Sequence, residues 1–266
     1  MNATALRKFL LATTLLAAWG WAQAQAFDAV RLYGVPEGDS AGVAGAVLIA
    51  APAYMGSDER RFLVLPSIDY QWKNGWFAGL SNGIGYQFPS RPDMQYGLRV
   101  TADLGRKESR SDALDGMGSV QPRAEAGVFF NYIPTPEWFL TSSLRYGAGN
   151  DYNGMQIDIG AGYSRQLSAQ WRAALGVAAT YVNGAYMQSF FGVTPQQAAA
   201  SGYAPYSAGA GFRDVRVNAS ATYFIDARWS VTGALTVRSL QGDSRDSPIV
   251  FERTPVTGVL ALGYRF

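Results

Sequence analysis

Histidine and cysteine are both absent from the 266 residues of the chain. Without cysteine the protein can form no disulfide bond, carry no lipid on an N-terminal cysteine and offer no thiolate nucleophile. Without histidine it lacks the side chain that most often serves as a general base and as a metal ligand. A carboxylate pair could still perform acid–base chemistry. These absences nevertheless favour a non-enzymatic protein with no cofactor and no metal site.

Lysine is scarce, with three residues at positions 8, 73 and 107, and the formal charges nearly balance, since 22 Lys and Arg face 20 Asp and Glu. A nucleic-acid-binding protein would need a basic excess, so nucleic acid is excluded as a partner. Beyond the N-terminal segment the chain has no apolar run of the length, about 18 residues, that a membrane-spanning helix requires.

The first 26 residues follow the pattern of a cleaved signal peptide. Arg7 and Lys8 form a positive region, residues 9–18 are apolar, and Ala24-Gln25-Ala26 is a cleavage motif. This motif predicts Phe27 as the mature N-terminus, and Ala22-Gln23-Ala24 is a competing site. We therefore expect residues 1–26 to be removed on export and residues 27–266 to form a single domain.

An alternation of apolar and polar residues with period two recurs along this domain. Val215 and Val217 fall on one side of their segment, whereas Asp214 and Arg216 fall on the other. Strands with one apolar and one polar face are typical of a barrel that crosses a membrane, with lipid outside and a polar lumen. A soluble β-sandwich would carry more lysine on its polar face. The sequence thus predicts an all-β, transmembrane, antiparallel up-and-down β-barrel. The predicted segments are residues 43–53, 62–72, 76–88, 96–104, 121–132, 138–147, 155–166, 171–182, 212–225, 229–238 and 256–266.

The number of strands must be even if both chain termini lie on the periplasmic side, yet the pattern shows eleven segments. Asn82-Gly83 is a tight-turn signal inside residues 76–88, and a turn there divides the segment in two. We therefore predict twelve strands. The alternative keeps this segment whole, removes one neighbour and has ten.

Tryptophan indicates the orientation of the barrel, because this side chain prefers the interface between membrane and water. Every tryptophan after the signal peptide adjoins a short connection, and short turns belong on the periplasmic side. These residues predict a periplasmic aromatic girdle of Trp72, Trp76, Trp138, Trp171 and Trp229. The longer polar connections, residues 54–61, 105–119, 148–154, 183–211 and 239–255, are predicted to be extracellular.

One of these loops contains the signals of a short helix. Thr194 is a good N-cap, Pro195 suits the first helical turn, Gln197 completes a capping box and Gly202 suits the C-terminal end. We expect one helix in residues 183–211.

The last strand ends on an aromatic residue and resembles the assembly signal of Gram-negative outer-membrane barrels. The usual pattern has glycine five residues before the terminal phenylalanine, where this chain has Ala261. The resemblance implies recognition by the barrel-assembly machinery. It identifies Leu262, Tyr264 and Phe266 as the signal.

The inward face of the predicted strands carries arginine and carboxylate side chains. These can pair into a network that fills a narrow lumen, or line a water-filled pore with a mild preference for anions. The residues are Asp69, Arg99, Asp103, Arg123, Glu125, Arg145, Asp158, Arg172, Asp214, Arg216, Arg238 and Arg265.

A set of short motifs occurs in order before the terminal Tyr264-Arg265-Phe266, and the ordered set resembles the MipA/OmpV family, the MltA-interacting proteins of the outer membrane. The residues that carry the resemblance in the loops are Tyr54, Gly56, Ser57, Phe190, Phe191, Gly192, Ser247 and Pro248. The resemblance covers essentially all of residues 27–266 and implies an outer-membrane barrel. In one branch of the family it implies a scaffold that links a lytic murein transglycosylase to a peptidoglycan synthase.

Two functions follow as hypotheses. The first is a non-enzymatic scaffold of the cell envelope, surrounded by outer-membrane lipid and lipopolysaccharide, with the transglycosylase and synthase as partners. The second is a narrow channel for small, mildly anionic solutes. A barrel of ten to twelve strands is smaller than the porins of 16–18 strands that leave an aqueous channel.

Overall fold

Twelve β-strands form one closed sheet in the computed structural model, which describes residues 40–148 and 153–266. Each strand pairs antiparallel with its neighbours in the chain, and the first strand pairs with the last. The predicted signal peptide and its cleavage site lie outside the described residues. The strands are β1 Ala41–Pro52, β2 Arg60–Gln71, β3 Trp76–Gly79, β4 Gly83–Gln87, β5 Met94–Asp103, β6 Arg123–Tyr132, β7 Trp138–Gly147, β8 Gly154–Gln166, β9 Trp171–Val182, β10 Gly211–Phe224, β11 Trp229–Leu240 and β12 Val256–Arg265.

The alternation in the sequence becomes an apolar outer surface and a mostly polar interior. On β10, Val217 is 48% exposed on the outside, whereas Asp214 and Arg216 are buried in the interior. On β12, Leu260 and Leu262 are exposed outside and Val259 is buried inside. Closing the sheet gives each strand a neighbour on both sides over part or all of its length, which suits a barrel surrounded by hydrocarbon.

Twelve strands are confirmed, and the alternative of ten is wrong. Gly83 has a φ of +75°, so it can complete the tight turn between β3 and β4. These two strands have four and five residues, the shortest among the described strands. The hairpin that they form consequently covers only part of the height of the barrel wall, measured from the turn end.

The connections divide into two ends of the barrel. The turn end carries the short connections 72–75, 88–93, 133–137, 167–170 and 225–228, together with Ser40 and Phe266. The loop end carries residues 53–59, 104–122, 183–210 and 241–255.

In the described part of the loop end there are three short α-helices, α1 Gly184–Phe191, α2 Pro195–Ser201 and α3 Gly242–Arg245, and two 3-10 helices, Glu108–Arg110 and Asp112–Leu114. The predicted helix is α2, with the capping box between Thr194 and Gln197 and with Gly202 in the left-handed conformation. The prediction of one helix in this loop was incomplete, because α1 precedes α2 and is capped by the Asn183 side chain. Among the described residues no helix is long and apolar enough to cross a membrane.

Four loops fold together over the loop end, and we call residues 53–59, 104–122, 183–210 and 241–255 the cap. Its apolar side chains form two clusters that exclude water. Leu114, Phe191 and Ile249 are each 0% exposed, which is unusual for surface loops. The buried members of the two clusters are Val120, Val182, Tyr186, Met187, Phe190, Phe191, Ala208 and Leu240 in the first, and Ala53, Tyr54, Leu114, Met117, Val193 and Ile249 in the second.

Candidate functional site

A row of alternating arginine and carboxylate side chains crosses the lumen wall from β6 to β11. Arg145 illustrates the arrangement, because it lies 3.3 Å from Glu125 and 2.8 Å from Asp158. Arg216 likewise lies between two carboxylates, 3.2 Å from Asp158 and 3.1 Å from Asp214. The members of this charge row are Arg123, Glu125, Arg145, Asp158, Arg216, Asp214 and Arg238, all of them predicted lumen residues.

Neutral side chains add hydrogen bonds to the carboxylates of the charge row. The Thr180 hydroxyl donates to Asp158 at 2.7 Å and accepts from Arg216 at 2.6 Å. The Gln156 amide donates to Glu125 at 3.0 Å. Buried charges are tolerated only when they are paired and hydrogen-bonded, and these contacts meet that condition for carboxylates that are almost inaccessible to solvent.

Arg213 belongs to the same row, although strict alternation along β10 would place it on the outer face. The pairing of β9 with β10 shifts between Phe212 and Asp214, which is the signature of a β-bulge. The bulge turns both Arg213 and Asp214 inward, and Arg213 is 0% exposed. Its guanidinium donates to Asp214 at 2.7 Å and to the Tyr186 hydroxyl at 2.9 Å. Tyr186 lies on α1, so Arg213 joins the wall of the barrel to the cap. The sequence did contain a signal for this inward position, because a charged arginine is unfavourable on a face that contacts lipid.

Five further predicted lumen residues lie along the inner wall. Asp69 accepts a hydrogen bond from Ser81 at the β3–β4 hairpin, and Arg99 lies 3.5 Å from the Asn82 side chain. Asp103 accepts from the backbone of Gly105. Near the turn end, Arg172 donates to Gln166 and Arg265 is exposed.

A cavity of about 870 Å³ occupies the lumen between the charge row and the turn end, and we call it the vestibule. Asp158 and Arg216 line it where it approaches the loop end, and Gln170 and Arg228 line it at the turn end. Aromatic, amide and hydroxyl side chains cover much of the remaining wall. Among them are Tyr70, Phe77, Gln95, Phe129, Asn131, Asn218 and Thr222. The volume is in the range of small-molecule binding sites.

The loop residues that carried the family resemblance meet in the cap, although they are far apart in the sequence. The Tyr54 hydroxyl donates to the Ile249 carbonyl at 2.9 Å, and the Ser247 hydroxyl donates to the Phe191 carbonyl at 2.5 Å. Gly56, with a φ of +97°, accepts from two backbone amides of residues 251–252. Ser57 accepts from the amide of residue 59, and Gly192 ends α1. Phe190 is buried in the first cluster and Pro248 is half-buried beside Ser247.

Arg106 is the charged residue most deeply enclosed by the cap. It donates to the carbonyl of Phe190 at 2.8 Å, and its burial lowers the pKa of its guanidinium to about 10. This contact ties residues 104–122 to α1, so the two longest loops of the cap are held together by a buried cation.

All five described tryptophans lie at the turn end, where each one faces a tyrosine. The ring centroids are 4.8–5.4 Å apart, which is the range of favourable aromatic pairs. Each tryptophan is at least 40% exposed on the outer surface. The pairs are Trp72–Tyr70, Trp76–Tyr86, Trp138–Tyr163, Trp171–Tyr223 and Trp229–Tyr264.

The C-terminal residue closes the sheet at the same end. The backbone of Phe266 exchanges two hydrogen bonds of 3.0 Å with Gly42 on β1. Leu262 and Tyr264, the other residues of the predicted assembly signal, point outward on β12, with Leu262 43% exposed and Tyr264 against Trp229.

One protein-family model matches most of the chain. The family model described as MltA-interacting protein MipA matches residues 44–266. Among solved structures, the NanC porin has a TM-score of 0.45 and 8% identity, with 84% of this chain and 98% of that chain covered. OmpT of Vibrio cholerae has a TM-score of 0.41 and 7% identity, with 86% and 97% covered. A mutant of the monoaromatic hydrocarbon channel TodX has a TM-score of 0.40 and 10% identity, with 87% and 91% covered. Curated protein sequences gave no significant match.

Proposed function

Since the chain belongs to the MltA-interacting protein MipA family and forms a barrel of the Gram-negative outer membrane, we propose that it is a non-enzymatic scaffold that binds a periplasmic murein transglycosylase. In such barrels short turns face the periplasm and longer loops face outward. The turn end is therefore periplasmic and the cap is extracellular. A peptidoglycan synthase is the second proposed partner.

The observation that carries this proposal is the asymmetry of the lumen. The vestibule reaches the periplasmic turns, whereas the charge row and the cap occupy the extracellular half. The periplasmic connections are only four to six residues long and offer little surface to a partner protein. The vestibule supplies the concave surface that the turns lack, and a segment of a partner could enter it from the periplasm.

The charges of the vestibule suggest what such a segment should carry. Outside the charge row the vestibule is lined by four arginines and two carboxylates, namely Arg99, Arg172, Arg228, Arg265, Asp69 and Asp226. The guanidinium of Arg172 lies 5.6 Å from the ring centre of Phe224. This cation–π contact orients the guanidinium, and its N–H groups can still donate hydrogen bonds to a carboxylate. We expect a partner segment rich in Asp or Glu, because electrostatic complementarity guides such encounters.

Crosslinking of the native protein in cell envelopes, followed by purification, tests this proposal. Captured murein enzymes should be lost when Arg172→Glu and Arg265→Glu are combined. They should be retained in Arg253→Glu, which changes an exposed arginine of the cap. Heat-modifiability on gels must show that all variants fold. Unchanged capture by the vestibule variant would contradict docking in the lumen.

Planar-bilayer recordings address the second candidate, a narrow channel. The scaffold proposal expects no steady conductance while the cap is intact. Single-channel steps with anion preference would instead support the channel, since the lumen would then admit ions through the cap.

A further inference from the structure

The barrel wall is incomplete beside β2. This strand has 12 residues, but its ladder with β3 contains only the pairs of Asp69, Tyr70 and Gln71. On the far side of the β3–β4 hairpin, the ladder with β5 ends at Val100. Within the described part of the chain, no strand pairs with the β3-facing side of β2 from residue 60 to residue 67. We call this gap the side window.

Two elements border the side window along the barrel axis. The tip of the hairpin, with Leu80 and Ser81, lies on its periplasmic side. The cap lies on its extracellular side, where the Ser111 hydroxyl donates to Glu59 at 3.0 Å. The window therefore occupies the half of the wall that is nearer the outer leaflet.

Pro66 gives β2 the character of an edge strand at this position. Ile68 accepts a hydrogen bond from Leu80 across the β2–β3 border, so its carbonyl points towards the window side. The backbone N and C=O groups of residues two apart point to the same side of a strand. The nitrogen of Pro66, two residues before Ile68, therefore also points towards the window. Proline has no N–H to donate and is confined to edges within sheets. Its presence opposes pairing with an added strand.

From Phe62 to Leu65 the side chains on both faces of β2 are apolar. Phe62 and Val64 point outward and are 72% and 73% exposed, more than the other exposed large hydrophobic residues of the described chain. Leu63 and Leu65 point inward and pack against Val47, Ile49 and Val259. An apolar surface therefore continues from the outside of the barrel to its interior at this gap.

The side window also adjoins the vestibule. Ser67, Asp69, Ser81 and Asn82 lie along its periplasmic border and line the vestibule as well. An open edge in hydrocarbon is costly because backbone groups need polar partners. Water in the vestibule can reach the edge at Ser67, and Pro66 removes one donor from it. The gap thus combines an apolar entrance with a polar, hydrated interior.

We propose that the side window admits an acyl chain of an outer-leaflet membrane lipid into the barrel. The chain lies against Leu63 and Leu65 and reaches the vestibule near Ser67. The occupant is a lipid chain rather than a partner strand, because Pro66 opposes strand pairing and the apolar surface is continuous with the lipid-facing wall.

The absence of cysteine allows a direct test with single-cysteine variants. Ser67→Cys and Ser220→Cys both place a fluorophore on a half-buried, inward-facing position of the vestibule wall. Ser67 borders the window, whereas Ser220 lies on β10, which is paired on both sides. Val64→Cys is the lipid-facing reference. Each labelled protein is reconstituted in phosphatidylcholine vesicles that contain lipid with a nitroxide on its acyl chain.

The expected result is quenching at Ser67 nearly as strong as at Val64 and several-fold stronger than at Ser220. Iodide, a water-soluble quencher, should reach Ser67 and Ser220 alike. Equal, weak quenching by the nitroxide lipid at Ser67 and Ser220 would overturn the proposal. Crosslinked dimers through β2 together with weak quenching at Ser67 would also overturn it, because a second copy would then cover the edge.

Discussion

The ring of Phe266 stacks on the ring of Tyr70, with the centroids 6.0 Å apart and the planes 25° from parallel. Phe266 directly follows the last strand, Tyr70 lies on β2, and Gly42 on β1 lies between them. A Cβ at Gly42 would lie 2.5 Å from the Phe266 ring, so glycine provides the space for this contact. Closure of the barrel therefore places the Phe266 ring against Tyr70, which itself faces Trp72 of the aromatic girdle.

Phe266→Ser should reduce assembly in the outer membrane, because it removes both the proposed recognition feature and the stacking on Tyr70. Protease-protected, heat-modifiable protein in outer-membrane fractions measures the effect. Phe251→Ser is the matched control, since Phe251 is 51% exposed in the cap. Normal levels of Phe266→Ser would contradict the proposed signal.

Val217→Arg should destabilise the folded barrel in lipid by about 2–4 kcal/mol, as should Leu235→Arg, if these outward side chains lie near the midplane. Asn218→Arg should be much milder, because Asn218 lines the vestibule one residue away. Urea titration of protein folded in vesicles measures all three. Equal losses at 217 and 218 would be incompatible with the observed faces of β10.

Arg216→Ala should lower stability on the order of 3–5 kcal/mol, because it leaves Asp158 and Asp214 short of a buried partner. Arg172→Ala near the hydrated turn end should cost about 0–1 kcal/mol. The temperature at which each variant loses its folded gel mobility measures the difference. If Arg216→Ala loses no more stability than Arg172→Ala, water solvates the charge row, and a water-filled pore becomes the better description of the lumen.

Leu114→Ala should weaken the cap by about 2–5 kcal/mol, the usual cost of truncating a buried leucine. The cap should then become sensitive to protease added from outside, and transient ion currents should appear. Leu167→Ala changes a leucine that is 65% exposed in a periplasmic turn and serves as the control. Retained protease resistance in Leu114→Ala would mean that the two apolar clusters do not hold the cap closed.

Local rules of the sequence determined the barrel, its faces and part of its loops. Alternation separates Val217 from Asn218 because side chains point to opposite faces along a strand. Asn82-Gly83 determined the twelfth strand and Thr194 determined the start of α2, since turn and capping chemistry act over a few residues. These features do not depend on distant parts of the chain.

Only the tertiary structure decided which inward residues meet. Alternation predicts which face of the sheet a side chain occupies but not its position along the barrel axis. It therefore grouped Asp69, Arg99 and Arg265 with the charge row, whereas the register of strand pairing places them away from it. The bulge on β10 brought Arg213 inside by changing the alternation at one position. The short ladders of β3 and β4 opened the side window, and packing between distant loops built the cap. Each of these depends on contacts between segments far apart in the chain.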